Sequence, residues 1–361
     1  MALNCGIIGI QGCGKTTLFN SLSGTKAETV QFSDKANLGV IQVPDNRLYE
    51  LEKYQTTEKI VHATVNLIDI PGLTRNATST ESTRKFLNEI RNSDAFIHVV
   101  RCFDNPHVPH PDGSLNPIRD IENMEIELQT RDVESVDKKI QRLEKVVKTG
   151  SKEAKQQIEA LLEIKALLEN FTPVRKMNLS ESSIEAIADL FLLSAKPVLY
   201  VSNVDSAHVA TGNEYSSTME KYLHEKGENF LLIGALLESE IAELESPEDR
   251  QLFLTDAGLT EPGVNRLVQY AYNMLHLRTF FTVGPKEIKA WTITAGMTAP
   301  QAAGVIHSDL ERGFIRAEVM KYNDFISLGS ENACKEKGKF FIEGKNYIVE
   351  DGDILHIRFN V

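Results

Sequence analysis

Three short stretches carry residue types that can do chemistry together. The first is Gly9-x-x-x-x-Gly14-Lys15-Thr16, inside "GIQGCGKTT". It fits the phosphate-loop pattern, in which glycines let backbone N–H groups turn inward around a β-phosphate. Gln11, Gly12, Cys13, Gly14, Lys15, Thr16 and Thr17 are the expected cradle. Lys15 is expected to face solvent, ready to reach the β and γ oxygens and assist their chemistry. Thr16 would ligate Mg²⁺, and Thr17 would sit near the α-phosphate. The second stretch is Asp69-Ile-Pro-Gly72. Asp69 would hold Mg²⁺ through a water, and the Gly72 N–H would face a γ-phosphate. The third is Asn203-Val204-Asp205-Ser206, in the position of a base-reading loop. Guanine readers commonly end that loop Asn-Lys-x-Asp. Ser206 stands where the carboxylate would be, and a neutral hydroxyl cannot make the bidentate, charge-assisted contact. Strong guanine preference is therefore not expected.

These residues need a frame. The apolar run Cys5–Ile8 precedes the glycine loop, and "KTTLFNSLSG" after it has helical spacing. A helix starting near Lys15 aims its positive dipole end at the same anion. "GVIQV", "ATVNLIDI", "DAFIHVV", "KPVLYVSNV" and "ENFLLIGAL" read as buried strands, with "STRKFLNEIRN" as a helix among them. That alternation predicts a mostly parallel sheet covered on both faces.

From Ile121 to Asn170 the texture changes to dense charge without proline. Val133, Val136, Ile140, Leu143 and Val147 follow a 3, 4, 3, 4 spacing, a heptad seam. Gly150 breaks the helix. Ile158, Leu161, Leu162 and Leu168 suit a second helix folding back on the first. After Leu277, "FFTVG", "KAWTI", "FIRAEVM", "NYIVE" and "ILHIRFNV" read as strands separated by turns.

With 361 residues, two or three domains are expected. A net charge of −12 argues against a uniformly basic surface but not against a basic patch. Lys138, Lys139, Arg142, Lys145, Lys148, Lys152 and Lys155 gather around the expected hairpin tip, with few acids among them, and suit contact with an RNA phosphate backbone. The four cysteines have no metal-binding spacing and fit a reducing cytoplasm. The first residues do not read as a secretory leader, and no apolar run is long enough to cross a bilayer.

With these pieces in place, the chain resembles the YchF / Obg-like ATPase family of P-loop NTPases related to translation factors. The most specific stretches are "LLSAKPVLYVSNVD", "ESEIAELE", "KAWTITAGMTAPQAAGVIHSDLERGFIRAEV" and "DGDILHIRFNV". The resemblance implies an α/β G domain (1–120 and 190–277), an inserted antiparallel helical hairpin (121–189) and a small α+β, β-grasp-like TGS domain (278–361). It implies binding of ATP and GTP, association with ribosomes and nucleic acid, and a hydrophobic residue, here Leu73, where GTPases carry a water-orienting glutamine. By the same resemblance Asn203, Val204 and Leu236 surround the base. His110 matches a histidine suspected of helping hydrolysis, with His107 as its neighbour.

Departures from the family pattern fall on the nucleotide-sensing loops. "TVQFSDKANLGV" lacks the usual switch I run, leaving Thr29 and Ser33 as weak counterparts of the metal-binding threonine. "TRNATSTESTRK" replaces the switch II glycines. This reads as a diverged paralogue that hydrolyses nucleotide slowly. The alternative is a nucleotide-holding RNA- or ribosome-binding module with little or no hydrolysis.

Overall fold

The computed structural model describes residues 4–23, 37–70 and 90–360. In chain order the strands are β1 (Asn4–Ile8), β2 (Asn37–Gln42), β3 (Ile60–Val61), β4 (Thr64–Asp69), β5 (Ala95–Arg101), β6 (Val198–Asn203) and β7 (Phe230–Ile233). They continue with β8 (Leu277–Val283), β9 (Ile288–Thr294), β10 (Phe314–Lys321), β11 (Phe341–Glu343) and β12 (Asp353–Phe359). The helices used below are α1 (Lys15–Ser23), α2 (Arg47–Glu52), α3 (Pro117–Val147), α4 (Lys152–Glu169), α5 (Glu181–Ile187), α6 (Glu214–Glu225), α7 (Ala235–Glu243), α8 (Pro247–Asp256), α9 (Gly263–Met274) and α10 (Ala299–Ile306).

Two compact units emerge. One comprises the described parts of Leu3–Gly39 and Asn66–Val264; the other comprises Val40–Val65 with Asn265–Val361. The first is built on a sheet of order β2-β4-β1-β5-β6-β7, parallel at β4/β1, β1/β5, β5/β6 and β6/β7. β2 and β4 lie on one side of β1, and β5, β6 and β7 lie on the other. The crevice at the carboxyl ends of β1 and β5 is therefore the topological switch point, where such sheets bind ligands. All seven residues of β5 are buried, as a central strand covered on both faces requires.

α3 and α4 are joined by a four-residue turn in which Gly150 takes φ +92°. Asn116 and Ser151 cap the two helices through their side chains, and Pro117 opens α3 at a position where its missing N–H costs nothing. Val136 and Ile140 from α3 share one apolar cluster with Leu161, Ile164 and Leu168 from α4; Val133, Leu143 and Ile158 pack against it. The heptad seam is thus an interhelical core. Leu162 is not in it: the residue is 50% exposed, and Ile164 takes the inward position.

The second unit has sheet order β11-β10-β12-β8-β9-β3. β8 and β9 form an antiparallel pair, and β12 lies parallel beside β8. α10 packs its Ala299, Ala302 and Ala303 onto Phe280, Ile293 and Leu355. Alanine at each contact lets a helix approach a sheet closely. "NYIVE" is not a strand; Ile348 makes only an isolated bridge to Thr298, and the pairing strand is β11, earlier in the chain. The edge strand β3 comes from far upstream and runs parallel to β9.

Buried inside the parallel sheet is His98, 2% exposed, its ring 5.4 Å from that of Tyr200. Burial pushes its imidazole down to about 4, with Lys15 and Arg175 acting in the same direction and Glu125 opposing them. Between an unfolded value near 6.5 and about 4, the unfolded chain binds the extra proton. Stability contributed by neutral His98 is therefore present above about pH 6.5 and is lost as pH falls toward 4. His98→Phe should flatten that part of the stability–pH curve relative to the native chain. Equilibrium denaturant melts at pH 7 and pH 5 measure it, and parallel curves for the two proteins would contradict it.

Candidate nucleotide site

The site grows from the end of β1. Gly9–Gly14 form the loop, and α1 begins at Lys15. Two side chains hold the loop, Asn203 and Lys15. Asn203, at the end of β6, donates from Nδ2 to the Cys13 carbonyl (2.8 Å) and accepts at Oδ1 from the Ala235 N–H (2.9 Å). It thereby ties together the phosphate loop, the sheet and the start of α7. Gly14, at φ +97°, gives this contact its room: a Cβ there would lie 2.2 Å from Asn203 Nδ2.

Lys15 does not face solvent, as its charge alone suggested. It is 7% exposed, and its ammonium donates to the carbonyls of Gly9 (2.9 Å) and Ile10 (2.7 Å). A buried cation must find acceptors, and the loop's own carbonyls supply them. The lysine is thus a strut across the loop it was expected only to project from. Beneath the loop, burial pushes the Cys13 thiol up, and the sulfur serves as core. All four cysteines are free and buried.

Thr16 Oγ1 donates to Asp69 Oδ2 at 2.9 Å, and Asn37 Nδ2 reaches the same oxygen at 3.3 Å. Asp69 is 5% exposed, and among the described residues its buried Oδ1 has no hydrogen-bond partner. A buried carboxylate oxygen lacking a donor costs free energy unless a cation meets it. With the Thr16 hydroxyl alongside, this hard oxygen pair suits Mg²⁺. Asn37 was not legible as part of the site, because no motif spacing ties it to Asp69.

The residues assigned to the base are placed unequally. Leu236 lies in the first turn of α7 and is 59% exposed. Val204 is 2% exposed, with its side chain in the core cluster beside Val209 and its N–H bonded to the Ile233 carbonyl. Val204 is therefore part of the core here. Asp205 turns its carboxylate back to cap Ser206–His208 through the Ala207 N–H and to meet His208 Nδ1 at 2.8 Å.

His110 is drawn inward. Its side chain is 4% exposed; Nε2 lies 3.0 Å from Asp120 Oδ2, and Nδ1 accepts the Asp112 N–H at 3.1 Å. Both nitrogens are therefore engaged, one by Asp112 of the loop before α3 and the other by Asp120 of α3 itself. His107 hydrogen-bonds through its backbone N–H to Asn105. Gly72, Leu73, Thr29 and Ser33 lie outside the described residues.

A glycine loop between a parallel strand and a helix, with a threonine–aspartate oxygen pair at the adjacent strand end, defines a P-loop NTPase domain. Residues 4–163 match the family described as 50S ribosome-binding GTPases, and residues 277–360 match the YchF-GTPase C-terminal family, itself described as of unknown function. The chain is similar over its full length to the ribosome-binding ATPase YchF of Haemophilus influenzae (42% identity) and of Bacillus subtilis (41%), covering 100% of each. Its structure is similar to that of the Schizosaccharomyces pombe YchF GTPase, with a TM-score of 0.86, 30% identity, and coverage of 99% of this chain and 97% of that one. The chain belongs to the YchF family.

Proposed function

We propose that this protein is a purine-nucleotide-binding P-loop NTPase that takes ATP at least as well as GTP, hydrolyses it slowly with Mg²⁺, and acts as a ribosome-associated switch in the cytoplasm. The observation that carries the reading is the Thr16–Asp69 oxygen pair, with its partnerless buried Oδ1, set beside the loop that Lys15 braces. Thr16 and Asp69 would hold Mg²⁺, which when bound supplies charge neutralisation at the phosphate oxygens. The loop N–H groups bind and orient the phosphates, and Lys15 shifts from carbonyl to phosphate oxygens. Asn203 fixes the loop through the Cys13 carbonyl, and Leu236 offers an apolar face to the base.

Slow turnover follows from what the chain does not offer. Leu73 has no group to orient water, and His110 as placed is engaged with Asp120 and Asp112. Single-turnover hydrolysis of γ-labelled ATP should proceed at or below about 10⁻³ s⁻¹, the scale of an unassisted small GTPase. A rate near 1 s⁻¹ without a partner would reveal a catalytic group elsewhere. In the same samples, competition of ATP and GTP for a fluorescent nucleotide should show no GTP preference above about tenfold, or about 1.4 kcal/mol.

The ribosome enters from the names of the relatives, which are ribosome-binding ATPases, and the α3–α4 hairpin is the proposed contact. Lys138, Arg142, Lys145, Lys148, Lys152 and Lys155 are exposed around its turn. Lys139 contributes less: it is tied to Asp189 and to the Ala186 carbonyl at the end of α5. Changing Lys145, Lys148 and Lys152 to Glu should weaken RNA or ribosome binding. It should also flatten the salt dependence, by roughly one unit of slope per lost phosphate contact. An unchanged slope would make these lysines a solvated helix face. The sheet unit around α10 is the proposed TGS domain. No helix among the described residues is long and apolar enough to cross a membrane.

A further inference from the structure

Arg101 is the last residue of β5, at the switch point of the parallel sheet, and it is 2% exposed. Its guanidinium donates from Nε to the Phe103 carbonyl (3.1 Å), from Nη1 to Val108 (2.8 Å) and from Nη2 to Asn105 (3.4 Å). It also lies over the Phe103 ring, 4.8 Å from the centroid. Among the described residues all of its polar partners are neutral carbonyls, and no carboxylate comes within ion-pair distance. Asp120, the first buried acid after Arg101 in the chain, is already shared by His110 and Arg119. A guanidinium carries five N–H donors, of which three meet carbonyls here.

This cation lies against the phosphate loop. A Cβ added to Gly12, which has φ +76°, would be 2.9 Å from Val108 Cγ1 and 3.7 Å from Arg101 Nη1. Arginine is poorly tolerated in an interior without an opposite charge. An isolated buried cation beside an anion-binding loop gains its counter-charge when the anion arrives. The same three hydrogen bonds fold residues 103–108 back on the strand end, which sets Val108 against Gly12.

We propose that Arg101 is a positioning residue and a second fixed positive charge of the nucleotide site. Its fork shapes the 103–108 loop against the phosphate loop, and its charge favours ligands in proportion to their phosphate charge. The proposal rests on the nucleotide-binding reading above and adds to it a residue outside the phosphate-loop motif. Its role is distinct from that of Lys15, which braces the loop from its own side through the Gly9 and Ile10 carbonyls.

The test is calorimetric titration of the full chain with AMP, ADP and ATP, each with Mg²⁺, for the native protein, Arg101→Lys and Arg101→Met. Loss of a fixed charge should grow with phosphate number. Arg101→Met should lose about tenfold or more for ATP, less for ADP and least for AMP. Arg101→Lys keeps the charge and should recover most of the difference between ADP and ATP while losing the fork. Hydrogen exchange of residues 103–108 should rise in both variants. A loss equal for all three nucleotides, or no loss, would overturn the charge role and leave Arg101 as a loop strut. If Arg101→Met does not fold, a ratio of ADP to ATP affinities in Arg101→Lys far from the native ratio would equally overturn it. If the native chain binds none of the three, the nucleotide reading and this inference fall together; if it binds all three and the variants keep its ratios, only this inference falls.

Discussion

Replacing Lys15 with alanine should reduce triphosphate binding at least about 100-fold, or about 2.8 kcal/mol, and should also loosen the empty loop. The second effect comes from the structure. The Lys15 ammonium bridges the Gly9 and Ile10 carbonyls while only 7% exposed. Alanine removes the charge that would meet the β and γ oxygens, and it leaves two carbonyls without their donor. Unmet buried acceptors cost on the order of 1–3 kcal/mol. A Lys15→Ala chain should therefore melt below the native protein in nucleotide-free buffer, and the gap should widen when ATP is added, because only the native chain is stabilised by ligand. Fluorescent-nucleotide titration and thermal melts with and without ATP measure both parts. Native-like affinity in the variant would remove Lys15 from the site.

Gly14→Ala should be more damaging to the fold. The residue takes φ +97°, where a side chain is strained, and the new Cβ would sit 2.2 Å from Asn203 Nδ2. Asn203 cannot yield without releasing the Cys13 carbonyl and the Ala235 N–H together. Backbone strain of about 1–3 kcal/mol adds to the loss of that buried knot. The expected cost is about 3 kcal/mol or more, lowering Tm by roughly 6–12 °C for a unit of this size. Nucleotide binding should fall with it, since the loop and the start of α7 lose their common anchor. Gly150→Ala is a useful contrast: it shares a positive φ of +92° but has nothing within 4 Å of the added methyl. It should show the strain alone. If the two variants melted together, the Asn203 knot would have no energetic weight.

Much of this protein was legible in its residues because the signals are local. The Gly9–Thr16 spacing specifies a strand, a turn with inward N–H groups and a helix start, and α1 begins at Lys15 as read. Short apolar runs announced the parallel strands β1, β4, β5, β6 and β7, and the seam from Val133 to Val147 announced packed helices. Family membership was also readable, because whole stretches such as "DGDILHIRFNV" match a pattern beyond what spacing alone conveys.

Tertiary structure decided what depends on distant neighbours. The pairing of β3 with β9 joins residues more than two hundred positions apart, and no periodicity in a two-residue strand could announce it. Leu162 and Ile164 are equally apolar, and only the partner helix selects which one is buried. Lys15 turned inward because the carbonyls of Gly9 and Ile10 fold toward its ammonium. His110 was held because α3 brought Asp120 beneath it. Arg101 became isolated because the carbonyls of a loop, and not a carboxylate, fold over its end of β5. A sequence names the charge a side chain carries; the partners that charge finds are set by which backbone the fold closes around it.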